Sequence, residues 1–189
     1  MQRKLLLNLI LVFGTISFPA SAIEINIDGK LDEEEWASAR QITKYYETMP
    51  FTLAEPSHSQ KVLILEDEKG IYFGFINIQK NETIRKQKHQ RDEEMANADM
   101  VGVSLDFDGD GLLSYGFTIS AGGSINDNVV RNENEMDYDW DADWKHGAHI
   151  EGDAWYAEMF IPWTIAPMKA QKGTKRKIKY SFYLSLIHI

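Results

Sequence analysis

Val101-Gly102-Val103-Ser104-Leu105-Asp106-Phe107 is followed, across an acidic and glycine-rich turn, by Leu113-Ser114-Tyr115-Gly116-Phe117-Thr118-Ile119. Apolar side chains occupy every second position in both runs. A period of two marks a strand with one buried face, and two such runs joined by turn residues predict an antiparallel hairpin. The pattern recurs outward in both directions. Residues 61–65 are Val-, Leu- and Ile-rich and end in the turn 66–70. Ile71, Phe73 and Phe75 alternate with Tyr72, Gly74 and Ile76. Trp155, Ala157 and Met159 alternate with Tyr156, Glu158 and Phe160, and Ile178, Tyr180, Phe182 and Leu184 repeat it once more. Five or six such strands with little helix predict an all-β chain, folded as an antiparallel β-sandwich.

Two segments depart from the pattern. Residues 32–39 predict one short N-terminal helix, with Asp32 as its cap, three Glu in its first turn and Trp36 facing inward with Leu31 and Ala39. Residues 85–98 are polar and lack an apolar stripe, so a partly helical surface segment is expected there.

The 189 residues are 43% hydrophobic, 12% aromatic and 26% charged, the composition of a folded domain and the length of one. There is no cysteine, which excludes disulfides, thiolate metal sites and cysteine nucleophiles. The balance of 20 basic and 29 acidic residues gives a net charge of −9. Such a surface repels phosphate backbones and argues against nucleic acid as a partner. The basic stretch 169–179 is read as a solvated loop leading into a final strand, with contact to an anionic surface as the alternative.

The N-terminus reads as an export signal. Gln2-Arg3-Lys4 is a basic start, residues 5–18 are almost wholly apolar, and Ala20-Ser21-Ala22 is an A-x-A cleavage site. The apolar run is shorter than the ~20 residues of a spanning helix. The expected domains are therefore a signal peptide at 1–22, a β-sandwich at 23–168, and a basic loop with a final strand at 169–189. The expected location is exported: periplasm, outer membrane or secreted.

Four stretches in order resemble a known family. Ile27-Asp28-Gly29-Lys30-Leu31-Asp32 leads to Trp36. Val62 to Gly74 supplies a strand pair around an acidic turn. Asp99 to Asp127 supplies the central hairpin. Trp140-Asp141-Ala142-Asp143-Trp144 precedes Gly152-Asp153-Ala154-Trp155, Glu158 and Ile161-Pro162-Trp163. Together they resemble family 9 carbohydrate-binding modules of the DOMON-like set, and cover nearly all of 27–163. The resemblance implies a β-sandwich that binds poly- or oligosaccharide without catalysis, serving glycan breakdown or uptake. It is nearest to the form found at the N-terminus of exported bacterial proteins that carry an outer-membrane β-barrel, so fusion to such a barrel or to a hydrolase is expected. Residues 185–189 are similar to translated sequencing adapter, so the natural chain is expected to be longer. The alternative is a genuine last strand, since Leu184 and Leu186 keep the alternation.

Sugar rings stack their C–H faces on flat aromatics and offer hydroxyls to carboxylates and amides. Residues 132–144 are dense in both, and lack a strand pattern, so they are read as a binding loop. Trp140 and Trp144 are the clamp candidates, with Tyr138, Asp141 and Asp143 beside them. The other reading is that one or both tryptophans plug the sandwich. Trp36, Trp155 and Trp163 are read as core. Asp106, Asp108 and Asp110 place carboxylates at every second position, a hard-cation spacing and a candidate calcium site; a plain hairpin turn with solvated carboxylates is the favoured reading. No catalytic motif occurs: the four aspartates from 137 to 143 share one loop rather than facing each other from separate strands, and His146 and His149 have no partner pattern. Two other functions remain open, a structural spacer in an outer-membrane protein and a haem-binding DOMON-like electron-transfer domain.

Overall fold

The computed structural model describes residues 23–48, 51–80, 83–93, 97–132, 135–170 and 176–186; the signal sequence and its cleavage site, and residues 187–189 of the adapter-like end, lie outside them. The strands are β1 (Arg40–Ile42), β2 (Ser59–Glu66), β3 (Gly70–Ile78), β4 (Met100–Asp106), β5 (Leu113–Ser120), β6 (Ile125–Arg131), β7 (Glu135–Asp137), β8 (Lys145–Glu151), β9 (Ala154–Pro162) and β10 (Lys179–Ser185). They form two five-stranded sheets, ordered β1-β2-β3-β9-β8 and β10-β4-β5-β6-β7, and every pairing is antiparallel. The all-β sandwich expected from the alternation is the architecture found.

Register decides which side chains meet. Across the second sheet, Phe182, Val103, Phe117 and Asp127 form one inward row and Leu184, Val101, Ile119 and Ile125 another. Across the first sheet, Ile64, Phe73, Met159 and His146 align, as do Val62, Phe75, Ala157 and Ala148. These rows interdigitate into one core, in which Phe182 of β10 meets Phe73 and Phe75 edge-on. Burying side chains of that size is worth roughly 1.5–3 kcal/mol each. β10, the final strand expected beyond 168, is therefore integral to the sandwich.

The first sheet is covered on its outer face as well. Ile23, Ile25, Ile27, Leu31 and Trp36 pack on Leu63, Tyr72 and Phe160 in a second apolar cluster. The anchor of this cover is Glu158, in the middle of β9 and fully buried. Its carboxylate accepts the N–H groups of Gly29 at 2.7 Å and Asp28 at 2.9 Å, and the Trp36 indole N–H at 3.0 Å. Burial pushes its pKa up against the pull of these donors. Directly opposite it on β8, Gly147 leaves room for the backbone of Asp28 and Gly29, which a Cβ there would meet at 2.6 Å. The scattered residues of the opening and closing motifs thus meet in one latch.

Among the described residues the second sheet has no such cover, and its outer face is open.

Three local expectations are corrected. The N-terminal helix is a 3-10 turn over Glu34–Ser38, with Glu33 rather than Asp32 at its cap position and no side-chain cap bond. Three Glu repel one another there, and burial of Trp36, not helix propensity, holds the turn. The segment 85–98 has no helix among its described residues, which turn at Arg91 and Asp92 and are tied by an antiparallel bridge between Lys86 and Ala98. The stretch read as a loop from 132 contains strand β7, paired to β6 through Asp137 and Val129, Met136 and Val130, and Glu135 and Arg131.

Candidate functional site

The tryptophan-rich stretch folds back onto the sandwich. Trp144 is only 6% exposed, packs on Phe117 and His146, and donates its indole N–H to Asp127 at 3.3 Å. Trp140 is half-buried between Tyr115 and Phe117, with ring centroids at 5.0 and 5.9 Å. The two-tryptophan clamp is thus corrected: Trp144 offers no face to solvent, and both rings close the end of the core. Local sequence could not separate the readings, because a plug and a clamp have the same composition.

A buried ion pair holds this end shut. The side chain of Asp127 is inaccessible to solvent, yet carries a carboxylate inside the sandwich. Arg91 meets it with Nη2 at 2.6 Å and Nε at 2.9 Å, and the Ala142 N–H donates at 2.8 Å. Arg91 also reaches Asp141 at 2.8 Å and Asp92 at 3.7 Å. Three carboxylates, of Asp92, Asp127 and Asp141, therefore gather around one guanidinium. Burial raises the pKa of Asp92, with the Asp127 charge adding to the rise. Burial, then the Arg91 charge, lowers that of His146. Asp141 is thereby a surface partner of Arg91, and Asp143 is exposed. Arg91 and Asp92 went unnoticed in the sequence because nothing in a polar segment without periodicity shows where it docks.

The aspartates of the hairpin turn do not converge on a cation position. Asp106 accepts the N–H groups of Asp108, Gly109 and Gly111 through its two oxygens. Asp108 pairs with Arg176 at 3.2 Å, and Asp110 with Lys169 at 2.7 Å. In this structure these carboxylates are met by backbone donors and by the basic 169–179 stretch, whose Lys169 and Arg176 bind back onto the turn. His146 and His149 lie on opposite faces of β8, as an odd spacing in a strand requires.

The open outer face of the second sheet offers a different arrangement. One row across it reads Tyr183, Gly102, Thr118, Asn126; the next reads Ser181, Ser104, Gly116, Asn128. Glycines in the central strands leave the face low. A Cβ on Gly102 would lie 2.4 Å from the Tyr183 ring, and one on Gly116 would lie 2.4 Å from Asn128 Oδ1. The Tyr183 side chain therefore lies across β4, and its hydroxyl hydrogen-bonds Thr118 on β5. The residue remains 44% exposed. Its hydroxyl is shielded, and that burial, with Tyr138 nearby, pushes its pKa up. Asn126 Oδ1 and Asn128 Oδ1 are buried acceptors without partners. Met136, 58% exposed, and Tyr138, whose hydroxyl points to the Met136 sulfur at 3.3 Å, stand at the β7 end. A groove of about 330 Å³ continues along this face, lined by Ser104, Ser114, Ser181, Val130 and Lys179.

Of the sugar-site candidates read from the sequence, then, Tyr138 belongs to this face, where Asp106 of the turn also lines the groove, and Tyr183 was missed. Its signal was present: with Tyr180, Phe182 and Leu184 facing in, an aromatic at 183 must face out.

No protein-family model matches the chain, and no curated protein matches it. Among solved structures it is similar to a carbohydrate-binding module of family 9 from Caldicellulosiruptor kristjanssonii in complex with glucose, with a TM-score of 0.58 and 12% identity, covering 84% of this chain and 72% of that one. It is also similar to a family 9 module from the same organism in complex with cellotriose, with a TM-score of 0.55 and 14% identity, covering 84% and 71%. The chain thus has the β-sandwich fold of those modules.

Proposed function

We propose that this chain is a non-catalytic carbohydrate-binding module that takes sugar on the outer face of β10-β4-β5-β6-β7. The observation that carries the reading is the Tyr183 side chain, held over Gly102 by its bond to Thr118, 44% exposed, and bordered by amides and hydroxyls. A half-exposed aromatic held rigid on an uncovered sheet loses little further entropy when a sugar stacks on it. Ser104, Ser114 and Ser181 line the adjoining groove and offer hydroxyls to a sugar. The folds it resembles hold glucose and cellotriose, which supports the same ligand class here.

The expected affinity is micromolar to millimolar, of which each stacked ring supplies about 0.5–1.5 kcal/mol. The module is further proposed to be exported after cleavage at Ala22 and to serve glycan breakdown or uptake within a larger outer-membrane or hydrolytic protein. Calorimetric titration with cello-oligosaccharides and other neutral glycans tests the binding. Tyr183→Ala is expected to weaken it about tenfold with the fold intact, while Asp143→Asn leaves it unchanged. Equal affinity of Tyr183→Ala and wild type for every bound glycan would refute the platform.

A further inference from the structure

Register sorts the outer face of the second sheet into rows that cross its strands. Ser181, Ser104 and Gly116 stand side by side on β10, β4 and β5, so three neighbouring strands carry nothing larger than a hydroxymethyl group. The row on one flank holds Tyr183 and Thr118. On the other flank Lys179 faces Asp106, and Ser114, Val130 and Met136 follow across β5, β6 and β7. The low row between them is the floor of a trough running across the strands, and the groove of about 330 Å³ is its stretch from β10 to β6.

The two ends of the trough are alike. Tyr183 stands at the β10 end, lying over Gly102 of β4. At the β7 end Met136 is 58% exposed, and the half-buried Tyr138 sets its hydroxyl against the Met136 sulfur. With strands ~4.8 Å apart, the three steps from β4 to β7 separate these two apolar surfaces by about 14 Å. A single sugar ring cannot touch both. Neither end is closed by a further described strand, since β10 and β7 are the two edges of the sheet. A site that reads a chain terminus needs polar groups closing one end, to hold the hydroxyl that only a terminus has. An open trough with a stacking surface at each end suits a chain that passes through it.

Building on the sheet-face reading above, we propose that this face takes the interior of an extended, uncharged glycan chain, laid across the strands from Tyr183 to Tyr138 and Met136, in place of a single sugar or a chain end. Lys179 and Asp106 set opposite charges beside each other along the trough, and the net charge of −9 disfavours a polyanionic chain.

Calorimetric titration with cello-, xylo- and manno-oligosaccharides of two, four and six units tests this. In at least one series affinity is expected to rise more than tenfold from dimer to hexamer, beyond the roughly fivefold that extra binding frames alone supply. Borohydride reduction of the hexamer's end should change its affinity less than twofold. Tyr138→Ala should weaken the hexamer about fivefold and the dimer less than twofold, whereas Tyr183→Ala weakens both. Met136→Ala, at an exposed position, serves if Tyr138→Ala does not fold, with the same split expected. Equal affinities for dimer and hexamer, loss of hexamer binding on reduction, or equal losses for both lengths in Tyr138→Ala would overturn the through-running chain. The sheet-face reading would survive each of these provided Tyr183→Ala still weakens binding. Unchanged binding of every oligomer in Tyr183→Ala, or no binding by the wild type, would overturn both.

Discussion

Exchanging Glu158 for Gln changes one atom in the latch that fastens the N-terminal cover to the first sheet. In the wild type, Oε2 accepts the Asp28 and Gly29 N–H groups, and Oε1 accepts the Trp36 indole N–H at 3.0 Å. Glutamine keeps one acceptor oxygen. Its best placement leaves that oxygen on the two backbone donors and turns the amide NH₂ toward the indole N–H, donor against donor. One hydrogen bond to a charged group is lost, worth about 1.5–3 kcal/mol, and a buried donor goes unmet. Removing a buried negative charge returns part of this, since burial already holds the Glu158 pKa up. The expected net loss in Glu158→Gln is about 1–3 kcal/mol. In a Trp36→Phe background the clashing donor is absent, so the same exchange should cost about 1–2 kcal/mol less. Urea denaturation of the four proteins of this cycle gives the coupling directly. An identical cost in both backgrounds would refute the latch, because the carboxylate would then not be acting through Trp36.

Three further outcomes are expected. Arg91→Ala leaves the inaccessible carboxylate of Asp127 with only neutral donors and should lower stability by about 2–3 kcal/mol, discounted for the one-third exposure of Arg91; Arg91→Lys should recover only part, as measured by denaturation. Gly102→Ala drives the Tyr183 ring off the sheet and should reduce sugar affinity as Tyr183→Ala does, while unfolding shifts by less than about 1 kcal/mol; near-ultraviolet circular dichroism with binding titration checks both. His146 is held below its ordinary pKa of 6.5 by burial and by Arg91, so the folded state binds its proton less readily than the unfolded one. Its contribution is present above pH 6.5 and is lost as pH falls through the lowered value; His146→Gln should flatten the stability profile between neutral pH and pH 5.

The sandwich was legible in the sequence because a half-buried strand writes its burial into every second residue. Strands β2, β3, β4, β5, β9 and β10 all announce themselves that way. β6 and β8 do not: Ile125-Asn126-Asp127-Asn128 and Lys145-His146-Gly147 place amides, a buried carboxylate and a glycine where apolar residues would mark a strand. Composition and period also bounded the function, excluding cysteine chemistry and disfavouring nucleic acid.

The site depended on contacts between residues far apart in the chain. Trp144 has the same neighbours in sequence whether it clamps a ligand or plugs a core. What decides is Asp127, 17 positions earlier, which takes its indole N–H, and Arg91, 36 positions earlier than Asp127, which neutralises that carboxylate. The three turn aspartates have calcium spacing on paper, but Lys169 and Arg176 reach them only after the chain has returned through β9. Tyr183 becomes a platform because register sets it over Gly102 and Thr118, and because residues 23–39 cover the other sheet and leave this one open. Periodicity reports which face of a strand is buried; which buried or open faces come together is set by strand order, and strand order is a property of the folded chain.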